Sequence, residues 1–198
     1  MDIVVATGNA HKVAELVPLF AGHRLMLPRD LGIEDFNLEE NGTTFLENAL
    51  AKARHLHALV HRPVLADDSG LCVDALGGAP GVLSARFGTE HGLKPSDYGS
   101  KNRLLLSLME GRENRTCAFV CCLVLYFDNR RFFVAQETLE GVLASAPRGE
   151  HGFGYDPIVY LPELGRTVAE LEQKEKNLLS HRGKAARRIS AMLESVQG

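Results

Sequence analysis

Residues 63–71 read Pro63-Val64-Leu65-Ala66-Asp67-Asp68-Ser69-Gly70-Leu71. A short apolar run is followed by two adjacent acids and a small turn pair. The pattern predicts a buried strand that ends in Asp-Asp-Ser-Gly and delivers carboxylates to the rim of a sheet, where α/β proteins bind their ligands. Carboxylates there can hold a hard cation such as Mg²⁺ or take a proton from water. The same four residues are also ordinary turn formers, so their chemistry rests on what the rest of the chain supplies.

Outward from this stretch, strands and helices alternate. Asp2 to Ala6 predicts a first strand and His11 to Phe20 a short helix with Val13, Leu16, Val17 and Phe20 inward. Arg24 to Leu27 predicts a second strand, and residues 28 to 42 an acidic, irregular segment. Thr43 to Val60 carries Phe45, Ala49, Ala53, Leu56 and Val60 at helical spacing, and Pro63 ends that pattern. Gly70 to Gly92 holds six glycines and reads as turns and loop. Ser96 to Met109 reads as a helix. Thr116 to Phe127, Phe132 to Leu139 and Gly141 to Ala144 read as strands, the first two closed into a hairpin by Asp128-Asn129-Arg130. A Gly-rich loop, 149–156, precedes a strand at Ile158 to Leu161. Thr167 to Glu170 has capping-box spacing, and a last helix is expected from Ser180 to Val196. Early alternation and later direct pairing predict an α/β fold with a mixed sheet.

A chain of 198 residues is one domain, or one domain with two lobes. Its net charge of −3 argues against a general nucleic-acid binder, though a local pocket can still be basic. The start, Met1 to Ala6, lacks the basic opening of a leader, and the longest apolar run, Cys117 to Phe127, is too short to span a bilayer. The four cysteines form no metal-type pairs and sit in apolar surroundings, so they are expected to be reduced core residues of a cytoplasmic protein.

Four further constellations carry chemistry. Thr7-Gly8-Asn9-Ala10-His11-Lys12 is a strand–turn–helix with a lysine on the first turn, a setting that favours anions, although P-loop spacing is absent. Thr44, Asn48 and Lys52 form one polar stripe of the long helix, which Glu39-Glu40 enter through a Gly turn; such a stripe is also what a wet helix face carries. Gly152-Phe153-Gly154-Tyr155-Asp156-Pro157 sets an aromatic between glycines, suited to stacking on a flat base. Lys174, Lys176 and Ser180-His181-Arg182-Gly183-Lys184 place cations at a helix start, against the dipole, where an anion or carbonyl partner would offset them. Together they describe a nucleoside triphosphate pocket.

These segments, with Gly77-Gly78-Ala79-Pro80-Gly81 and Ser84-Ala85-Arg86, resemble in order the inosine/xanthosine triphosphate pyrophosphatase family across essentially the whole chain, 1–198. The resemblance implies a two-lobed α/β fold around a long mixed sheet flanked by helices, and a homodimer. It implies Mg²⁺-dependent cleavage of ITP, dITP and XTP to the monophosphate and pyrophosphate. By motif, Thr7, Gly8, Asn9, Ala10, His11 and Lys12 would hold phosphate, and Lys52 would sit on the phosphates. Glu40 and Asp68 would serve the metal, with Asp68 also the proton acceptor and Ser69 on the substrate. Phe153, Gly154, Tyr155, Asp156, Lys176, His181 and Arg182 would frame the nucleoside. Neither nucleic acid nor a membrane is an implied partner. Leu83 departs from the aromatic that relatives commonly carry there. A Maf-like nucleotide pyrophosphatase with another base preference is the neighbouring alternative, and a non-catalytic nucleotide sensor the more distant one.

Overall fold

The computed structural model describes residues 1–34 and 36–195. Asp35, inside the expected irregular segment, and Val196, the expected end of the last helix, lie outside them. The elements are β1 (Asp2–Ala6), α1 (Ala10–Leu16), β2 (Arg24–Met26), α2 (Phe45–Val60), β3 (Val64–Val73), α3 (Tyr98–Leu108), β4 (Thr116–Asp128), β5 (Arg131–Leu143), β6 (Val159–Leu161), β7 (Arg166–Thr167), α4 (Gln173–Leu179) and α5 (His181–Ser195). Seven strands form one sheet in the order β2-β1-β3-β4-β5-β6-β7. β1 runs parallel to both β2 and β3, whereas β6 pairs antiparallel with β5 and β7, so the expected mixed α/β sheet is present. No helix among the described residues is long and apolar enough to cross a membrane.

Residue packing divides the chain into two compact units. The first comprises 1–68, 121–137 and 180–198, the second 69–120 and 138–179. In the first unit the two-residue period of the strands sorts side chains onto two faces. Ile3, Val5, Leu65, Cys121, Leu123 and Leu125 meet Leu16 and Phe20 together with Ala185, Ala186 and Ile189 of α5. Val4, Ala6, Val64, Ala66, Cys122 and Val124 face the other way, onto Ala49, Ala53 and Leu56 of α2. In the second unit one core joins Leu71, Val73, Leu105, Phe119, Leu143, Tyr155 and Ile158. The cysteines are free thiols, three of them buried.

α2 starts where its sequence places a reciprocal cap. Thr44 Oγ1 accepts from the Glu47 amide at 3.1 Å, and Glu47 Oε2 accepts from the Thr44 amide at 3.1 Å. It ends at His61, whose backbone is left-handed (φ 49°), two residues before Pro63.

Several expectations are corrected. β3 does not end at Asp-Asp-Ser-Gly but continues to Val73. Gly70 permits this, because a Cβ there would lie 2.2 Å from the Gly81 carbonyl oxygen and 2.5 Å from Ser84 Oγ. Ser84 Oγ donates to Gly81 O at 2.7 Å and accepts from the Leu71 amide at 2.9 Å, locking the loop onto the strand. α1 stops at Leu16, and Pro18 tightens the next turn into a 3₁₀ form. That change of pitch leaves Val17 52% exposed while Phe20 remains buried. β5 runs through Gly141 without a break; the missing side chain lets the Tyr160 carbonyl approach. Thr167 and Glu170 do form a capping box, but on a single 3₁₀ turn, and α4 is an additional helix.

Gly70→Ala is therefore expected to destabilise the protein by about 1–3 kcal/mol, the usual cost of overpacking. Gly8→Ala, which meets open space, should change little. Thermal unfolding compares the two, and equal melting temperatures would contradict the close-approach account.

Candidate active site

Asp67 and Asp68 are consecutive residues of one strand, so they project to opposite faces. Asp67 continues the Leu65 row toward α1 and α5, and Asp68 continues the Ala66 row toward α2. Each face supplies its own cations.

On the α1/α5 side Lys12 Nζ donates to Asp67 Oδ1. Arg182 Nε donates to Asp67 Oδ2 at 2.8 Å, and its Nη1 donates to Glu15 Oε2 at 2.5 Å. The Cys121 thiol, kept protonated because burial pushes it up, donates to Asp67 Oδ2 at 3.2 Å. Burial alone would raise Asp67, but the Arg182 and Lys12 charges outweigh it and hold the carboxyl well below the usual carboxylate range. The expected Arg182 thus sits at the base of α5 with its guanidinium on two carboxylates. Glu15 was not among the expected site residues, and Asp67, expected beside Asp68 as a cation-holding carboxylate, instead faces away from it onto Lys12 and Arg182. Nothing in the helical pattern of α1 marks Glu15 as buried; its partner lies 167 residues away.

On the α2 side Lys52 Nζ donates to Glu40 Oε1 (2.6 Å), the Asp67 carbonyl (2.7 Å) and Asp68 Oδ1 (3.1 Å). Asn48 Nδ2 donates to Asp68 Oδ2 at 3.2 Å, while its Oδ1 accepts from the Gly42 amide at 2.8 Å. Of the polar stripe, Thr44 is exposed, but Asn48 and Lys52 are buried at 2% and 8% exposure. Burial, then the neighbouring Glu40, raise Asp68 above the ordinary Asp value, with Lys52 opposing them. Burial pulls Lys52 down, but Asp68 and Glu40 outweigh it and keep its ammonium above its usual value. Asn48 was visible as a stripe position yet absent from the expected site.

The Thr7–Lys12 turn is braced from within. Thr7 Oγ1 accepts from the Asn9 amide at 3.1 Å, and Asn9 Oδ1 accepts from the His11 and Lys12 amides at 2.9 and 3.4 Å. Gly8, Ala10 and His11 are exposed, Thr7 and Lys12 half-buried. His181, the first residue of α5, is buried beside Arg182.

The second unit holds the aromatic loop. Gly152 (φ 75°) and Gly154 (φ 66°) are left-handed, and a Cβ on Gly152 would lie 2.0 Å from Asp156 Oδ2. Asp156 Oδ2 accepts from the Phe153 amide at 2.8 Å and from Lys176 Nζ at 2.6 Å. That ammonium also stands 4.9 Å from the Phe153 ring centroid. Tyr155 is buried in the core, with its hydroxyl donating to the Ser84 carbonyl at 3.1 Å. Of the expected residues, then, Lys12, Glu40, Lys52, Asp68 and Arg182 gather in the first unit around Asp67. Phe153, Asp156 and Lys176 gather in the second, where Ser69 is half-buried.

Asp67→Asn is expected to cost about 3 kcal/mol at neutral pH, as one partner leaves a buried ion network. The depressed carboxyl of the folded protein contributes stability that is complete above the ordinary Asp value of 3.8 and is lost as pH falls through its lower folded value. The deficit of the variant should therefore shrink below pH 3.8. Denaturant unfolding at pH 7 and in that acid range checks this, and a deficit that grows in acid would contradict it.

Comparison with known proteins agrees across the chain. The Ham1 family profile matches residues 3–192. A dITP/XTP pyrophosphatase of Treponema denticola is 47% identical over 194 residues, covering 98% of this chain and 99% of that protein. One from Geobacillus kaustophilus is 46% identical over 200 residues, covering 100% of this chain and 96% of its own. Among solved structures, the Ham1 protein of Staphylococcus aureus superposes with a TM-score of 0.89 at 35% identity, covering 99% of this chain and all of that one. A HAM1 protein from Coxiella burnetii gives 0.89 at 37% identity, covering 98% and 99%. The chain belongs to the Ham1 family.

Proposed function

We propose that this protein is a Mg²⁺-dependent pyrophosphatase that hydrolyses ITP, dITP and XTP to the nucleoside monophosphate and pyrophosphate, removing them from the nucleotide pool. The observation that carries the reading is the buried Asp68 carboxyl, raised by burial and Glu40 yet tethered by Lys52 and Asn48. A carboxylate brought up toward the working pH while still ionised is suited to take a proton from water.

The residues fit a magnesium ion. Glu40 and Asp68 both bind the Lys52 ammonium, and the Glu40 charge raises Asp68, so the two carboxylates offer oxygen ligands and negative charge to a hard cation. Magnesium is commonly held by one or two carboxylates together with substrate phosphates. Glu40 and Asp68 would hold it, and when bound it supplies charge neutralisation on the phosphate oxygens.

In this reading Thr7 to Lys12 receive the phosphates, and Lys12 and Lys52 offset charge on the departing pyrophosphate. Asp68 orients the attacking water and accepts its proton, with Ser69 on the substrate. Phe153 to Asp156, Lys176, His181 and Arg182 frame the nucleoside. Hypoxanthine and xanthine present a carbonyl at position 6, an acceptor, where adenine presents a donor. Buried donors such as the Lys176 ammonium and the Arg182 guanidinium favour the acceptor. The whole chain is one catalytic domain, acting as a homodimer on free nucleotides in the cytoplasm; the net charge of −3 supports a partner other than nucleic acid.

Pyrophosphate release from dITP, ITP, XTP, ATP and GTP, with Mg²⁺ and with a chelator, tests the reading. Fast release from the first three that the chelator abolishes is the expected result. Asp68→Asn should lower kcat/KM about 10²–10³-fold. Near-normal turnover in that variant would remove Asp68 as the base, and rapid ATP hydrolysis would remove the selectivity.

A further inference from the structure

α3 meets the aromatic loop through two side chains four residues apart on one stripe, Tyr98 and Asn102. The Tyr98 ring lies 6.5 Å from that of Phe153 at an interplanar angle of 57°. Asn102 Nδ2 donates to the Gly154 carbonyl at 3.1 Å. Gly154 sits between Phe153 and Tyr155 in a left-handed conformation, so its carbonyl anchors the turn that carries Phe153. Tyr98, Asn102, Gly152, Phe153 and Gly154 line a cavity of about 400 Å³ beside the loop.

Asn102 is also an expensive choice. It is 4% exposed, and among the described residues its Oδ1 has no hydrogen-bond partner. A buried acceptor left unpaired costs stability that an apolar side chain of the same size would not. Asn is moreover a poorer helix former than Leu. A side chain held at such a cost in a helix interior points to a use beyond folding.

We propose that Asn102 is a positioning residue for base recognition. Its amide fixes Gly154, and through it the Phe153 ring beneath the Lys176 ammonium, at the height that accepts a purine. The inference rests on the proposed function.

Asn102→Leu and Asn102→Asp test it, with steady-state kinetics on dITP and dGTP beside thermal unfolding. Both variants remove the donor to Gly154; the first also removes the unpaired acceptor, while the second turns an oxygen toward the carbonyl. Asn102→Leu is expected to keep or raise Tm, raise KM for dITP about tenfold and leave kcat within about threefold, with a loss of dITP over dGTP preference. Asn102→Asp should share the KM and preference changes at a lower Tm. A merely structural Asn102 would make KM follow stability, so wild-type KM and preference in a stable Asn102→Leu overturn the inference. Failure of Asn102→Leu to fold overturns it equally, because the amide would then be needed for the fold itself. Wild-type protein that releases no pyrophosphate from dITP removes the proposed function and the inference together; rapid wild-type release with unaltered Asn102→Leu kinetics removes the inference alone.

Discussion

The two-residue period of β3 is the constraint on which the arrangement depends. Because Asp67 and Asp68 are adjacent on an extended strand, one must face α1 and α5 and the other α2. A turn at this point would have put both acids in solvent, where their charges would be screened and their environments alike. The strand instead buries both and divides the available cations between them. Lys12 and Arg182 go to one side and Lys52 to the other. The helices that bring those cations are fixed by the same alternation, since the apolar rows ending in Asp67 and Asp68 are the rows on which they pack.

Similar burial then leads to opposite protonation tendencies. Asp67 has two full cations in contact and is held ionised far into acid. Asp68 shares a single ammonium with Glu40, and burial together with that second carboxylate carries it upward. Neighbouring carboxylates whose environments push them apart are how one site obtains a permanent anion and a group able to exchange a proton. Asp67 braces α1, α5 and β4 through Lys12, Arg182 and Cys121, whereas the atoms around Asp68 belong to side chains that reach it from α2 and the segment before it.

Much of this was legible in the sequence. The apolar runs of β1 and β4 and the helical periodicity of α2 place most of the elements, and the ordered motifs name Lys12, Glu40, Lys52, Asp68 and Arg182, which the fold brings close together. What the sequence hid has physical reasons. Asp, Ser and Gly prefer turns, so β3 reads as ending where it is in fact held open by ion pairs and by a loop seated on Gly70. The stripe of Asn48 and Lys52 stays open between a wet face and a buried one, because the two have the same spacing and only their partners distinguish them. Glu15 is indistinguishable from any helix-surface acid until Arg182 is brought to it. Val17 was misplaced because Pro18 changes the pitch of the turn, and a 3.6-residue template cannot follow a 3₁₀ turn.

The charges of the first unit bear on what a triphosphate would require. Around Asp67 and Asp68 the ion pairs join Lys12, Lys52 and Arg182 to Glu15, Glu40, Asp67 and Asp68. Arg182 is the least able to turn toward a phosphate, being buried with two carboxylates on its guanidinium. Lys12 and Lys52 have flexible stems and compact ammonium heads, and can be drawn from a carboxylate to a phosphate oxygen. Each such transfer would leave a carboxylate behind without its cation. Asp67 would keep Arg182, whereas Glu40 and Asp68 share the Lys52 ammonium. Glu40 and Asp68 would hold a divalent cation whose charge would replace that of the ammonium, and Lys52 could then serve the carboxylates at rest and the phosphates during reaction.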